Sequence, residues 1–186
     1  ASAEGGKPLT IGDFAAWAAE DFDLPRSSLP VPLARGLDEA ALKGILARPL
    51  KSGRDLPPEA GNFPLLVLGQ GLYYESPLSQ VILCEYLASR GFIVATCPLV
   101  GTRYRLTNMN AEDLETQVRD MEFVLAEARS TFGGKTGPTG LIGYDLGGMA
   151  GLLLAMRRPE ISAFLSLDSG IDLLHHSGLP AGHPGY

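Results

Sequence analysis

The chain has 186 residues, 45% of them hydrophobic and 19% charged, an ordinary balance for one globular domain with a sizeable core. A formal net charge of −6 and a pI near 5.0 provide no basic stripe for a phosphate backbone, so no nucleic acid is expected as a partner. No apolar run reaches the roughly 18 residues that cross a bilayer, so no transmembrane segment is expected either.

Residues 1–41 read as an irregular segment that packs on a domain occupying 42–186. Ala1, Ser2 and Ala3 suit the small-residue end of a cleaved secretory signal, which favours a secreted or periplasmic protein over a cytoplasmic one. Pro25, Pro30 and Pro32 break any long element, but 11–21 fits a short amphipathic helix with Phe14, Trp17 and Ala18 on one face. The run LKGILARPL (42–50) has strand character, with Pro49 marking its end or an edge position, and 51–62 is a turn-rich connection through Pro57, Pro58 and Gly61.

Phe63 to Leu68 is a continuous apolar run bounded by turn residues, the pattern of a strand buried on both faces, and it runs into Gly69-Gln70-Gly71. Ser76 and Pro77 then suit the cap and first turn of a helix whose Leu78, Val81, Ile82 and Tyr86 recur at helical spacing until Gly91. Phe92 to Cys97 is the next buried strand. A loop with Arg103 and Arg105 leads to Asn110 and Asp113, spaced like a capping box. Leu114, Val118, Met121 and Leu125 then lay one apolar stripe along a helix. After a loop at 132–138 come a strand at 139–144, a helix at 146–158 stopped by Pro159, and a strand at 161–168 that ends in an acid. Cys84 and Cys97 look like small buried hydrophobes, and spacing alone decides nothing about a disulfide between them.

Strands separated by helices imply an α/β class with a mostly parallel sheet and helices on both faces. Ligands of such sheets bind beyond the carboxyl ends of the strands, where Gln70, Gly71, Leu72, Asp145 and Asp168 fall. The stretch Leu141-Ile142-Gly143-Tyr144-Asp145-Leu146-Gly147-Gly148 has the form of a nucleophile elbow, G-x-S-x-G, with Asp145 in the place of serine. Its glycines answer either to a positive φ or to a close backbone approach.

The pieces FPLLVLGQG, LCEYLASRGFIVATCP, GYDLGG and SLDSG together resemble the α/β-hydrolase fold, in its dienelactone hydrolase and platelet-activating-factor acetylhydrolase-like branch, over about residues 42–172. The resemblance implies an ester or lactone hydrolase lineage that needs no cofactor and no metal. It also implies an oxyanion hole from the backbone N–H groups of Leu72 and Leu146, each worth roughly 3–4 kcal/mol in the transition state. Gln70 stands where that family usually has histidine. Gln70, Gly71 and Tyr73 would line the substrate side of the loop, with Tyr74 and Glu75 beyond them.

Asp145 is then either a carboxylate nucleophile, as in the haloalkane dehalogenases and epoxide hydrolases that share this fold, or the remnant of a lost serine in a binding or interaction protein. Asp168 is either the acid that orients a histidine or the cap of its own turn. His176 is the candidate base, with His175 beside it and His183 near the end. Spacing of the three histidines matches no familiar zinc pattern. The chain ends eighteen residues beyond Asp168 with no strand-like run, so the last strands of the fold look absent. The expected partners are therefore a small ester-like ligand and a second chain or C-terminal fragment that completes the sheet.

Overall fold

The computed structural model describes residues 8–21, 36–57, 59–71, 77–104, 107 and 110–169. Strand β1 (Pro8–Thr10) runs straight into helix α1 (Ile11–Asp21), followed by α2 (Glu39–Leu46), β2 (Pro49–Gly53) and β3 (Phe63–Gly69). A short 3-10 segment (Pro77–Gln80) opens onto α3 (Val81–Ser89). Then come β4 (Ile93–Thr96), α4 (Ala111–Thr131), β5 (Thr136–Tyr144), α5 (Leu146–Arg157) and β6 (Ile161–Leu167).

Strands β3 to β6 form one sheet in the order β4-β3-β5-β6, with every neighbouring pair parallel, while β1 and β2 form a separate antiparallel ladder. The crossover from β3 to β4 moves one way across the sheet, and those from β4 to β5 and from β5 to β6 move the other way. Right-handed crossovers therefore put α3 on one face and both α4 and α5 on the opposite face. The expected α/β class, with a parallel sheet and helices on both faces, is the architecture found.

The main core lies under α4 and α5. The predicted stripe Leu114, Val118, Met121 and Leu125 is buried, and it meets Leu65 and Val67 of β3, Leu141 of β5, and Met149, Leu153 and Leu154 of α5. Each such side chain contributes about 1.5–3 kcal/mol on leaving water. Asn110 caps α4 by accepting a hydrogen bond from the Asp113 N–H at 2.8 Å. Asp113 itself is 4% exposed. Its buried carboxylate accepts from the Thr102 N–H at 2.8 Å and ties the loop after β4 to the helix.

Three local expectations are corrected. Residues 42–46 are helical, not extended, because Asp38 adopts a β-region backbone and accepts a bond from the Ala41 N–H at 2.7 Å, capping a run of good helix formers. Pro49 begins β2 instead of ending a strand, a first position where its missing N–H is tolerated. In α3 only Val81 of the expected apolar face is seen to be buried, whereas Ile82 and Tyr86 are 62% and 55% exposed. That helix packs Val81 against Ala15 of α1 and Leu50 of β2, and Glu85 accepts a bond from the Ser52 N–H, so its covered side is set by β2 and α1.

Strand β5 also begins earlier than expected, at Thr136, and carries Pro138 inside the sheet. The ladder to β3 shifts register there, from Phe63↔Thr136 to Leu65↔Thr139, and that irregularity accommodates a residue with no N–H to donate.

A fork links the two helices over the core. Arg157 of α5 donates to both carboxylate oxygens of Glu115 of α4, at 3.0 and 2.8 Å. Hydrogen bonds from Arg157, aided by the charges of Arg157 and Arg119 and opposed by partial burial, hold the Glu115 carboxyl below the ordinary value of 4.5. A folded pKa below the unfolded one stabilises the native state above the unfolded value, and that contribution is lost as pH falls through the folded value. Glu115→Gln is thus expected to cost about 1 kcal/mol at neutral pH and progressively less as the pH is lowered below the ordinary carboxylate range, read from urea midpoints.

Cys84 and Cys97 are not joined by a disulfide, and both are partly exposed rather than fully buried. Burial nevertheless pushes the Cys84 thiol up to about 11. Since the thiolate is the reactive form, alkylation of Cys84 by iodoacetamide at pH 8 should be slow in the native protein and should accelerate on unfolding in urea. Equal rates in the two states would contradict that burial.

Candidate functional site

The sheet register brings Gln70, Asp145 and Asp168 to the same end of the sheet. Gly69 pairs with Gly143, Gly143 with Ser166, and Tyr144 with Leu167. Gln70, Asp145 and Asp168 are the first residues beyond β3, β5 and β6, and parallel neighbours run about 4.8 Å apart. Leu72, Tyr73, Tyr74, Glu75, Arg105, His175, His176 and His183 lie outside the described residues. Gly71 is buried, and Arg103 forms an exposed ion pair with Glu112 at 3.4 Å.

Asp145 has φ 49° and ψ −123°, a positive-φ conformation that a non-glycine residue holds at a cost of about 1–3 kcal/mol. The strain of the turn therefore falls on the aspartate. None of its three glycines has positive φ, so close approach accounts for them. A Cβ on Gly143 would lie 2.6 Å from the Gly147 carbonyl oxygen, and one on Gly147 would run into the backbone of Gly69 and Gln70. The bend is pinned by the Asp145 N–H donating to the Leu167 carbonyl at 3.0 Å and the Gly148 N–H donating to the Asp145 carbonyl at 2.9 Å.

Asp145 occupies the N-cap position of α5, yet its carboxylate makes no cap bond to the helix. Leu146 and Gly147 are the first two helical residues, and an α-helix supplies no acceptor for N–H groups there. Asp145 is partly exposed and precedes the positive end of a helix dipole. Leu146 has a buried side chain, which anchors that first turn in the core.

Asp168 shares the positive-φ feature at 51° and is exposed. Among the described residues, two site neighbours were not singled out in the sequence. Ser169 fills the space over the Cα of Gly148, where a Cβ would collide with its hydroxyl, and its buried Oγ has no hydrogen-bond partner among the described residues. Thr96 ends β4, and its hydroxyl lies 2.5 Å from the amide nitrogen of Gln70 and 2.9 Å from the Leu68 carbonyl. Its signal was a lone hydroxyl near the end of an apolar strand. Ser169 had read as part of a turn. No group of three or more histidine, cysteine, aspartate or glutamate side chains among the described residues is placed to hold a metal ion.

No protein-family model matches the chain, and no curated protein matches it in sequence. Solved structures do resemble it. One, reported with the metagenome-derived lipolytic enzymes LipS and LipT, is 22% identical with a TM-score of 0.43, over 66% of this chain and 51% of that one. Another, a protein of unknown function from Agrobacterium tumefaciens described as a candidate α/β hydrolase, is 21% identical with a TM-score of 0.46, over 61% and 53%. The matched part spans about half the length of each. At these values neither likeness assigns an activity to this chain.

Proposed function

We propose that the chain is an α/β-hydrolase-fold protein of the ester- and lactone-hydrolase lineage, whose ligand sits at the carboxyl ends of β3, β5 and β6 against the Asp145 carboxylate. The observation that carries this reading is the strained turn at Asp145, φ 49° and ψ −123°, with its side chain withheld from the helix it precedes. A carboxylate serving only as a cap would bond the N–H groups of its own helix. In this reading the first N–H of the helix, that of Leu146, faces negative charge that develops on a bound carbonyl oxygen.

In this reading a carboxylate oxygen of Asp145 bonds to the acyl carbon as the C–O bond to the alkoxide breaks, and the alkoxide leaves as the alcohol with a proton from protonated His176, which His176 regains from the attacking water. Water then cleaves the resulting acyl-aspartyl anhydride, releasing the acid and restoring the carboxylate. His176 is the candidate base for that water, and Asp168 the acid beside it. Gly71 and Tyr73 complete the substrate side, and the Leu72 N–H is the second oxyanion donor.

The substitution of serine by aspartate favours a second reading, in which the same cleft binds a small ligand without turning it over. It also admits displacement at an alkyl carbon, as haloalkane dehalogenases and epoxide hydrolases perform it. Release of nitrophenol from a short-chain nitrophenyl ester separates these. Turnover that disappears in Asp145→Asn supports the first reading, and absence of turnover in the wild-type protein overturns it.

A further inference from the structure

We propose that Thr96 is a positioning residue for this site: acting through Gln70, it fixes the end of β3 against the first turn of α5. The inference rests on the site described under the proposed function, but its structural part stands independently of any turnover.

The Thr96 hydroxyl has one hydrogen, and it points to the Leu68 carbonyl at 2.9 Å. Towards Gln70 the hydroxyl oxygen can therefore only accept. The group 2.5 Å away must be the amide nitrogen, which settles which way the Gln70 amide faces. Gln70 is 0% exposed, and its amide oxygen has no partner among the described residues. The bond to Thr96 is what holds this buried amide in place.

The backbone of the same residue touches the elbow helix. Space for a Cβ on Gly147 is taken by the Gln70 carbonyl oxygen and by Gly69, and a Cβ on Gly69 would lie 2.8 Å from the Gly147 carbonyl oxygen. Contact this close between two backbones leaves no slack. A change in the anchoring of Gln70 is transmitted to Gly147, two residues beyond Asp145 and one beyond Leu146. Thr96 thus sets the position of the Leu146 N–H relative to the end of β3 without touching a ligand.

The test compares the 15N-labelled full chain with Thr96→Ser and Thr96→Val. In the wild type and Thr96→Ser, the Gln70 side-chain amide should exchange slowly with solvent. In Thr96→Val its protection should fall about tenfold or more, and the backbone amide signals of Gly147 and Gly148 should shift while that of Ala163 in β6 stays. A folded Thr96→Val with Gln70 protection and the Gly147 signal unchanged overturns the proposal. Should Thr96→Val not fold, Gln70→Met breaks the same bond and leaves Thr96 paired with Leu68. An unmoved Gly147 signal in that variant overturns it equally.

In the ester assay, Thr96→Val should lower kcat about tenfold with KM kept within about twofold, and Thr96→Ser should restore it. Lack of turnover in the wild type removes the reading of activity alone, and the amide measurements still decide the role of Thr96.

Discussion

Replacing Asp145 by asparagine is expected to reduce ester turnover to background, a loss of about 10⁴-fold or more, with the fold intact. Asparagine is the informative substitution because it keeps the shape of the side chain and tolerates positive φ about as well as aspartate. Alanine at φ 49° adds a backbone cost of about 1 kcal/mol, which mixes a folding effect with a chemical one. Asparagine removes the charge on which the proposed nucleophilic role depends, and leaves the Leu146 N–H where it is. Asp145→Ser is the complementary variant. If it creates esterase activity in place of the native one, the turn is shown to present whichever nucleophile it carries, and the unique need for an aspartate is lost. Circular dichroism and a urea midpoint within about 0.5 kcal/mol of the wild type would establish that the variants fold alike.

Gly147→Ala is expected to have the largest effect on stability of any substitution of one methyl at the site. The added carbon meets the backbone of Gly69, the last paired residue of β3, and of Gln70 just beyond it, and backbone cannot turn aside as a flexible side chain would. Overpacking of this kind costs about 3 kcal/mol or more when the obstacle is backbone. At about 2–4 °C per kcal/mol for a chain of this length, the melting temperature should drop by about 6–12 °C or more. As a control, Gly44→Ala adds the same group on α2 where nothing lies within 4 Å of it. That variant should be neutral or slightly stabilising, by up to about 1 kcal/mol. Equal melting temperatures for the two variants would mean that β3 and α5 approach less closely than described here.

The order of elements from β3 to β6 was legible because its signals were redundant. Strand β3 is an uninterrupted apolar run, and the α4 stripe at 114, 118, 121 and 125 holds to helical period. Crossover handedness then left one arrangement of helices about the sheet. The stretch before β3 was harder, since LKGILARPL offers no clear period and the cap that makes it helical, Asp38, lies outside the run itself. The side that α3 covers was hidden for a different reason. Leu, Ile, Val, Cys and Tyr occur nearly all around that helix, so packing by α1 and β2 decides what is covered.

At the site, the position of Asp145 was visible from the spacing of its glycines, but the reason for those glycines was not. Two explanations were open, and close approach proved to be the operative one, with the positive φ carried by the aspartate itself. Thr96 and Ser169 come to the site only through strand pairing and the turn after β6. Both depend on contacts far apart in sequence, and neither residue stands out from its neighbours by type.

The proposed function stands on Asp145 being the group that reacts. Its most direct test is the mass of the full chain, quenched during reaction with a nitrophenyl ester and, in separate samples, with a haloalkane and an epoxide. The expected result is an acyl adduct from the ester, located by fragmentation to Asp145 and absent from Asp145→Asn. An alkyl adduct on the same residue from the haloalkane or epoxide would move the chemistry to displacement at carbon. A protein shown to bind these compounds that carries no adduct on Asp145 in any sample would contradict the claim.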